Sequence, residues 1–263
     1  MNDIYETRKH DQGAFVSRPF NDCVMALYPS GSRLMRRALP VSLVQSMLGA
    51  TLPADALLSP EPNGAGVRSA LGLHETEPFK SACKAVLEAA ERILEGPVYV
   101  HQSRINFKRA GTGTGWSWHS DFETWHAQDG MPRPLCATAM IPLEPNTEDN
   151  GPLLVIPGSH MIYWSAPRGE EHSAEENFSD QKDGVPSDDV IRDLKALCGD
   201  EVAVLAEPGD VFFFDSNLMH GSRPNTSNHG RANFYVVFNR VDNALVEPFS
   251  ASAPRPIQMG YRK

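Results

Sequence analysis

Between Phe79 and Leu94 the apolar residues fall at three- and four-residue intervals, at Phe79, Ala82, Cys83, Val86, Leu87, Ala90, Ile93 and Leu94. That spacing collects them on one stripe of an α-helix, and Gly96-Pro97 follows as its stop. A second stripe, Val190, Ile191, Leu194, Leu197 and Cys198, lies behind Ser187, a side chain suited to cap a helix N-terminus. The other apolar segments have a different character. Residues 97–107, 134–143, 153–157, 201–206, 211–215 and 232–240 are short, rich in β-branched and aromatic side chains, and bounded by Gly, Pro or Asn. Such strands in series predict a barrel or a sandwich. The first sixty or so residues carry little readable periodicity, with Pro, Gly and Ser clustered near 29–32 and 59–66. Residues 165–189 are too hydrophilic for a core and read as a surface loop, with an active-site lid as the alternative.

Composition narrows the class. At 263 residues the chain is long enough for one sizeable core, and one domain over 1–263 is expected. An apolar fraction of 41% and a charged fraction of 22% are those of an ordinary globular protein. The net charge of −9 disfavours nucleic acid and anionic membranes as partners, since both repel such a surface. Cys23, Cys83, Cys136 and Cys198 lie far apart with no C-x-x-C pair, so free buried thiols are expected rather than a zinc or redox motif. No basic region followed by an apolar stretch opens the sequence, and no run reaches membrane-spanning length, so a cytoplasmic protein is expected. The sequence allows a homodimer.

The candidate chemistry begins at Trp118-His119-Ser120-Asp121. In an extended segment side chains alternate, so His119 and Asp121 would share one face. A bare His-x-Asp is uninformative, because nine histidines and 33 acidic residues give about one His-x-Asp/Glu by chance. Context changes that. The segment 212–222 runs from a strand into a turn that presents His220 at its rim, where barrels place ligands. Two imidazoles and one carboxylate on one face of iron(II) leave three positions open for a bidentate co-substrate and O2. Eleven residues after His220, Arg231 opens the next strand. An arginine there can pair bidentately with a carboxylate, as anchoring the far end of 2-oxoglutarate requires. His160 closes a strand and tight turn and reads as a structural residue or a support for a ligand.

Longer blocks carry a family resemblance. They are His101-Gln102-Ser103-Arg104-Ile105-Asn106-Phe107-Lys108, Trp118-His119-Ser120-Asp121-Phe122-Glu123-Thr124-Trp125-His126, Asp129-Gly130-Met131-Pro132, residues 150–160, Met219-His220-Gly221-Ser222, Asn239-Arg240-Val241-Asp242-Asn243 and the tail Ala253-Pro254-Arg255-Pro256. Together they resemble the phytanoyl-CoA dioxygenase superfamily, within it the bacterial ectoine hydroxylases, over roughly residues 65–263. The resemblance implies a mainly β fold with flanking helices, a double-stranded β-helix of jelly-roll or cupin type. It implies Fe(II) on His119, Asp121 and His220, and 2-oxoglutarate on Asn106, Ser222 and Arg231. It further implies a small-molecule pocket using Gln102, Trp125, Phe214, Asn233 and Tyr235. Alternation agrees, since Gln102, Arg104 and Asn106 share a face, as do Arg231, Asn233 and Tyr235.

Three departures bear on the substrate. Tyr235 stands where ectoine hydroxylases usually have phenylalanine, adding a hydroxyl that needs a partner. Gly111-Thr112-Gly113-Thr114-Gly115-Trp116-Ser117 replaces a segment that carries charges in the family. Residues 1–63 diverge. The expected activity is hydroxylation of a small zwitterion, ectoine to 5-hydroxyectoine, with free proline or another amino acid as the alternative substrate. A non-catalytic metal-binding β-barrel is the alternative from another class. A halogenase is disfavoured because Asp121 occupies the position that halide would need.

Overall fold

The computed structural model describes residues 14–17, 24–166, 176–177, 181–253 and 255–261. Cys23, and residues 167–175 and 178–180 of the expected polar loop, lie outside the described residues. The described part of the chain begins with β1 (Ala14–Ser17), β2 (Ser32–Met35), helix α1 (Val41–Leu48), β3 (Leu57–Pro60), β4 (Val67–Leu71) and helix α2 (Phe79–Leu94). It continues through β5 (Val98–Lys108), β6 (Trp116–His119), the short helix α3 (Asp121–Thr124), β7 (Cys136–Pro142), β8 (Leu153–Val155) and β9 (Ile162–Ser165). Helix α4 (Asp188–Cys198), β10 (Val202–Ala203), β11 (Val211–Asp215), β12 (His220–Ser222) and β13 (Arg231–Arg240) follow.

Two antiparallel sheets form the double-stranded β-helix: a seven-stranded sheet in the order β2-β11-β7-β13-β5-β4-β3, and a four-stranded sheet in the order β10-β8-β12-β6. Along β13, Ala232, Phe234, Val236 and Phe238 pack on the outer side against Phe79, Ala82, Cys83, Val86, Ala90, Ile93 and Leu94 of α2. The alternate residues Arg231, Asn233 and Tyr235 therefore face inward, towards the second sheet. Pairing with β5 sets Arg231 opposite Lys108, Asn233 opposite Asn106 and Tyr235 opposite Arg104. One polar row from each strand is thus aligned on the inner face.

Helix α2 keeps the expected span but ends on Glu95, which adopts a left-handed φ of 53°, rather than on Gly96. Helix α4 has Ser187 as its N-cap, accepting from Val190 N. Expected strand 201–206 shortens to β10, because its backbone changes partner: Val202 and Ala203 pair with β8, while Ala206 bridges to Asn146. The region with little periodicity supplies β2 and β3, the two edges of the large sheet, and α1, which buries Val44 and Met47. Edge strands of four residues show no alternation over a useful length, and Pro60 is tolerated because an edge need not donate on both sides. Cys83, Cys136 and Cys198 are free thiols, the first two buried.

The sheet–α2 layer centres on Phe234, fully buried with its ring 5.3 Å from that of Phe79. Phe234→Ala is expected to lower the unfolding free energy by about 3–5 kcal/mol, through lost transfer energy and an unfilled cavity. Denaturant titration checks this, and a loss near zero would mean that the layer does not carry the fold.

Candidate metal centre and its cavity

Strand β12 pairs with β6 so that His220 lies directly opposite His119. Their ring centroids are 4.2 Å apart. Asp121 arrives by a different route from that expected of an extended His-x-Asp: His119 ends β6, Ser120 caps, and Asp121 opens α3. The cause is the Ser120 hydroxyl, which accepts from Glu123 N at 3.3 Å and bends the chain into a helix. The turn still delivers the carboxylate, with Oδ1 3.8 Å from His119 Nε2 and Oδ2 3.9 Å from His220 Nε2. One ligand atom from each of the three buried side chains lies within 4.8 Å of the others. Ser120 Oγ also donates to Asn217 Oδ1 at 3.2 Å, and Asn217 Nδ2 donates to His160 O at 2.9 Å. The His160 backbone therefore braces the turn that carries Asp121.

The donor set fits iron(II). His119 Nδ1 lies 2.7 Å from Ser117 O, and His220 Nδ1 lies 2.9 Å from Leu218 O. Each contact assigns the ring proton to Nδ1 and leaves Nε2 as a ligand. Burial, reinforced by His220, drives the His119 pKa down to about 3, and burial lowers that of His220, so both rings are neutral. For Asp121 burial acts to raise the pKa, but Arg104, His220, His119 and Arg255 together outweigh it and hold the carboxyl below its usual range. Its Oδ2 is buried and has no hydrogen-bond partner among the described residues. Two neutral imidazoles beside an ionised, unsatisfied carboxylate are what a facial iron(II) site needs.

The triad opens into a cavity lined also by Gln102, Asn106, Trp125, Ser222, Arg231 and Tyr235. Phe214 and Asn233 are not on its surface. Phe214 stands behind, edge-on to the His220 ring at 5.1 Å. Asn233 satisfies its neighbours when its amide oxygen faces Arg231 Nη1 at 2.9 Å and its nitrogen donates to Ala232 O at 3.0 Å. Arg104 and Arg255 line the walls as well and add charge to the pocket residues that the resemblance implies. Arg104 was visible as the middle member of the Gln102, Arg104, Asn106 row. Lys108, the next residue of that row, is 1% exposed and donates to Ser222 Oγ at 2.8 Å. Burial first, then Arg231 and Arg68, push its pKa down to about 6.

The C-terminal segment closes one side. Gln102 Nε2 donates to Met259 O at 2.5 Å, Gln102 Oε1 accepts from Arg104 Nη1 at 3.0 Å, and Tyr261 N donates to His101 O at 2.8 Å. Arg255 makes a two-point pair with Asp129, at 2.8 and 2.6 Å. No local pattern announces the contacts of Met259, Tyr261 and Arg255, since their partners Gln102, His101 and Asp129 are more than a hundred residues away.

The phytanoyl-CoA dioxygenase family model matches residues 54–233. The chain belongs to that family. An ectoine dioxygenase from Stutzerimonas stutzeri is 40% identical over 207 residues, covering 77% of this chain and 68% of that protein. The crystal structure of EctD from S. alaskensis with 2-oxoglutarate and 5-hydroxyectoine superposes with a TM-score of 0.84 at 32% identity, covering 98% of this chain and 94% of that one. The same protein with bound Fe gives a TM-score of 0.82 at 32% identity, with coverage of 99% and 95%. This family member is a 2-oxoglutarate-dependent dioxygenase. Among the described residues no helix is long and apolar enough to cross a membrane.

His119→Ala, Asp121→Ala and His220→Ala are each expected to reduce bound iron to background while leaving the circular dichroism spectrum unchanged. Metal analysis of the purified variants checks this, and full iron occupancy in any one removes that residue from the ligand set. Asp129→Ala strands the Arg255 guanidinium inside the protein and is expected to cost about 3 kcal/mol of stability, read by denaturant unfolding.

Proposed function

We propose that this chain hydroxylates ectoine to 5-hydroxyectoine, with 2-oxoglutarate and O2 as co-substrates. The observation that carries the reading is the convergence of His119, Asp121 and His220 with Arg231 in one cavity walled by Trp125 and Gln102. Relatives named for ectoine support the choice of substrate. With iron(II), 2-oxoglutarate and O2 bound, one oxygen atom enters an unactivated C–H, the other enters succinate, and CO2 leaves.

The residues divide the work by position. Arg231 Nη2 donates to Gly151 O at 2.7 Å and Nη1 faces Asn233, which leaves Nε, buried without a partner among the described residues, for a carboxylate. Asn106 Oδ1 accepts from Ser69 Oγ at 2.7 Å, so the amide nitrogen is the end left to donate to 2-oxoglutarate. Ser222 Oγ accepts from Lys108, so its hydroxyl hydrogen is left to donate as well. Trp125 is 2% exposed and braced edge-on by His101 at 5.1 Å, a rigid wall suited to the amidinium ring of ectoine. Gln102 holds Met259 against the cavity. Phe214 and Asn233 act from behind, steadying His220 and Arg231.

The reading extends to residues 176–177 and 181–183, the described part of segment 165–189 that reaches the cavity. Asn177, Gln181 and Asp183 contribute to the lining, and Gln128 Nε2 donates to Asp183 Oδ2 at 3.1 Å. Both sheets and the C-terminal segment build one site, which supports treating 1–263 as one catalytic domain.

Incubation with iron(II), ascorbate, 2-oxoglutarate and ectoine in air is expected to give a product heavier by one oxygen and an equal amount of succinate. Mass spectrometry reads both. A product from free proline, with none from ectoine, would reassign the substrate. Arg231→Ala is expected to raise the KM for 2-oxoglutarate in line with a loss of about 2–5 kcal/mol, and an unchanged KM would place the anchor elsewhere.

A further inference from the structure

The phenol of Tyr235 has no role in the contacts described above. Tyr235 is 3% exposed, lines the cavity, and shares the inward face of β13 with Arg231 and Asn233. The Arg104 guanidinium covers its ring, 5.2 Å from the centroid. Its hydroxyl lies at the Arg231 end. The Asn233 amide oxygen that faces Arg231 Nη1 at 2.9 Å is the same atom that lies 3.5 Å from Tyr235 Oη. At 3.5 Å that contact is too long to satisfy the hydroxyl. Burial lowers the pKa of Arg231, and Tyr235 is the first neighbour that opposes the effect, as a group close to the guanidinium would. A phenol enclosed in this way needs an acceptor for its hydrogen.

We propose that Tyr235 belongs to the co-substrate subsite and not to the substrate wall, its O–H donating to the same 2-oxoglutarate carboxylate that Arg231 binds. The inference rests on the reading of Arg231 as the anchor of 2-oxoglutarate. An ionised carboxylate offers about four lone-pair sites, enough for Arg231 Nε and one phenol together. Phenylalanine at this position keeps the ring under Arg104 and removes only the donor, so Tyr235→Phe isolates the hydrogen bond.

The test is calorimetric titration of 2-oxoglutarate into the iron(II)-loaded protein without O2, wild type against Tyr235→Phe, followed by steady-state kinetics on both. Weakening of 2-oxoglutarate binding by roughly tenfold is expected, as for one lost hydrogen bond to a charged acceptor. The KM for 2-oxoglutarate should rise in parallel and the KM for ectoine should stay level. Equal binding of 2-oxoglutarate by the two proteins overturns the proposal, as does a change confined to the ectoine KM, which returns the phenol to the substrate wall. Arg231→Ala in the same titration separates the two ideas: unchanged binding there removes the anchor itself, whereas a loss there with none in Tyr235→Phe removes only the phenol.

Discussion

The pairing of β12 with β6 at His220 and His119 is the contact on which the site depends. Side chains alternate along a strand, so a slip of one residue would turn one imidazole to the opposite face and leave Asp121 with a single partner. Close backbone packing helps hold the register. A Cβ on Gly221 would stand 3.1 Å from Trp116 O, and one on Gly115 would stand 2.7 Å from Ser222 O. Gly115, at the entry to β6, and Gly221 on β12 therefore let the two strands run close enough for their histidines to share one ion.

Around that pair the protein buries several cations, a costly arrangement unless each finds compensation. The described structure meets the cost in different ways. Arg255 is paired with Asp129, and Arg68 lies 3.6 Å over the Trp116 ring while donating to Gly115 O at 2.7 Å. Lys108 is destabilised as a cation and turns its nitrogen to Ser222 and Arg223 O. Arg231 keeps an unpartnered Nε. A dianionic co-substrate in this cavity would supply negative charge beside Arg231. The same field, acting through Arg104 and Arg255, keeps Asp121 ionised and ready to ligate.

Much of this was legible in the sequence, because it depends on local geometry. A three- to four-residue apolar period can only be buried as a helix stripe, which located α2 from Phe79 to Leu94. A two-residue period assigns faces, which placed Gln102, Arg104 and Asn106 in one row and Arg231, Asn233 and Tyr235 in another before any pairing was known. The long His-Ser-Asp block and its family resemblance pointed to the three groups that converge in the structure. Tertiary structure decided the rest, because those contacts join positions that no local period relates. Ser120 turned Asp121 onto a helix by a single cap, a choice that an extended reading could not distinguish. The edge strands β2 and β3 exist because the large sheet has edges to extend, not because four residues prefer to be extended alone. Arg255 meets Asp129, Lys108 meets Ser222, and the Tyr235 hydroxyl lies beside Arg231 only after the sheets close. Those placements set the charge and the donors inside the cavity, and they follow from strand register and packing rather than from the order of residues along any one segment.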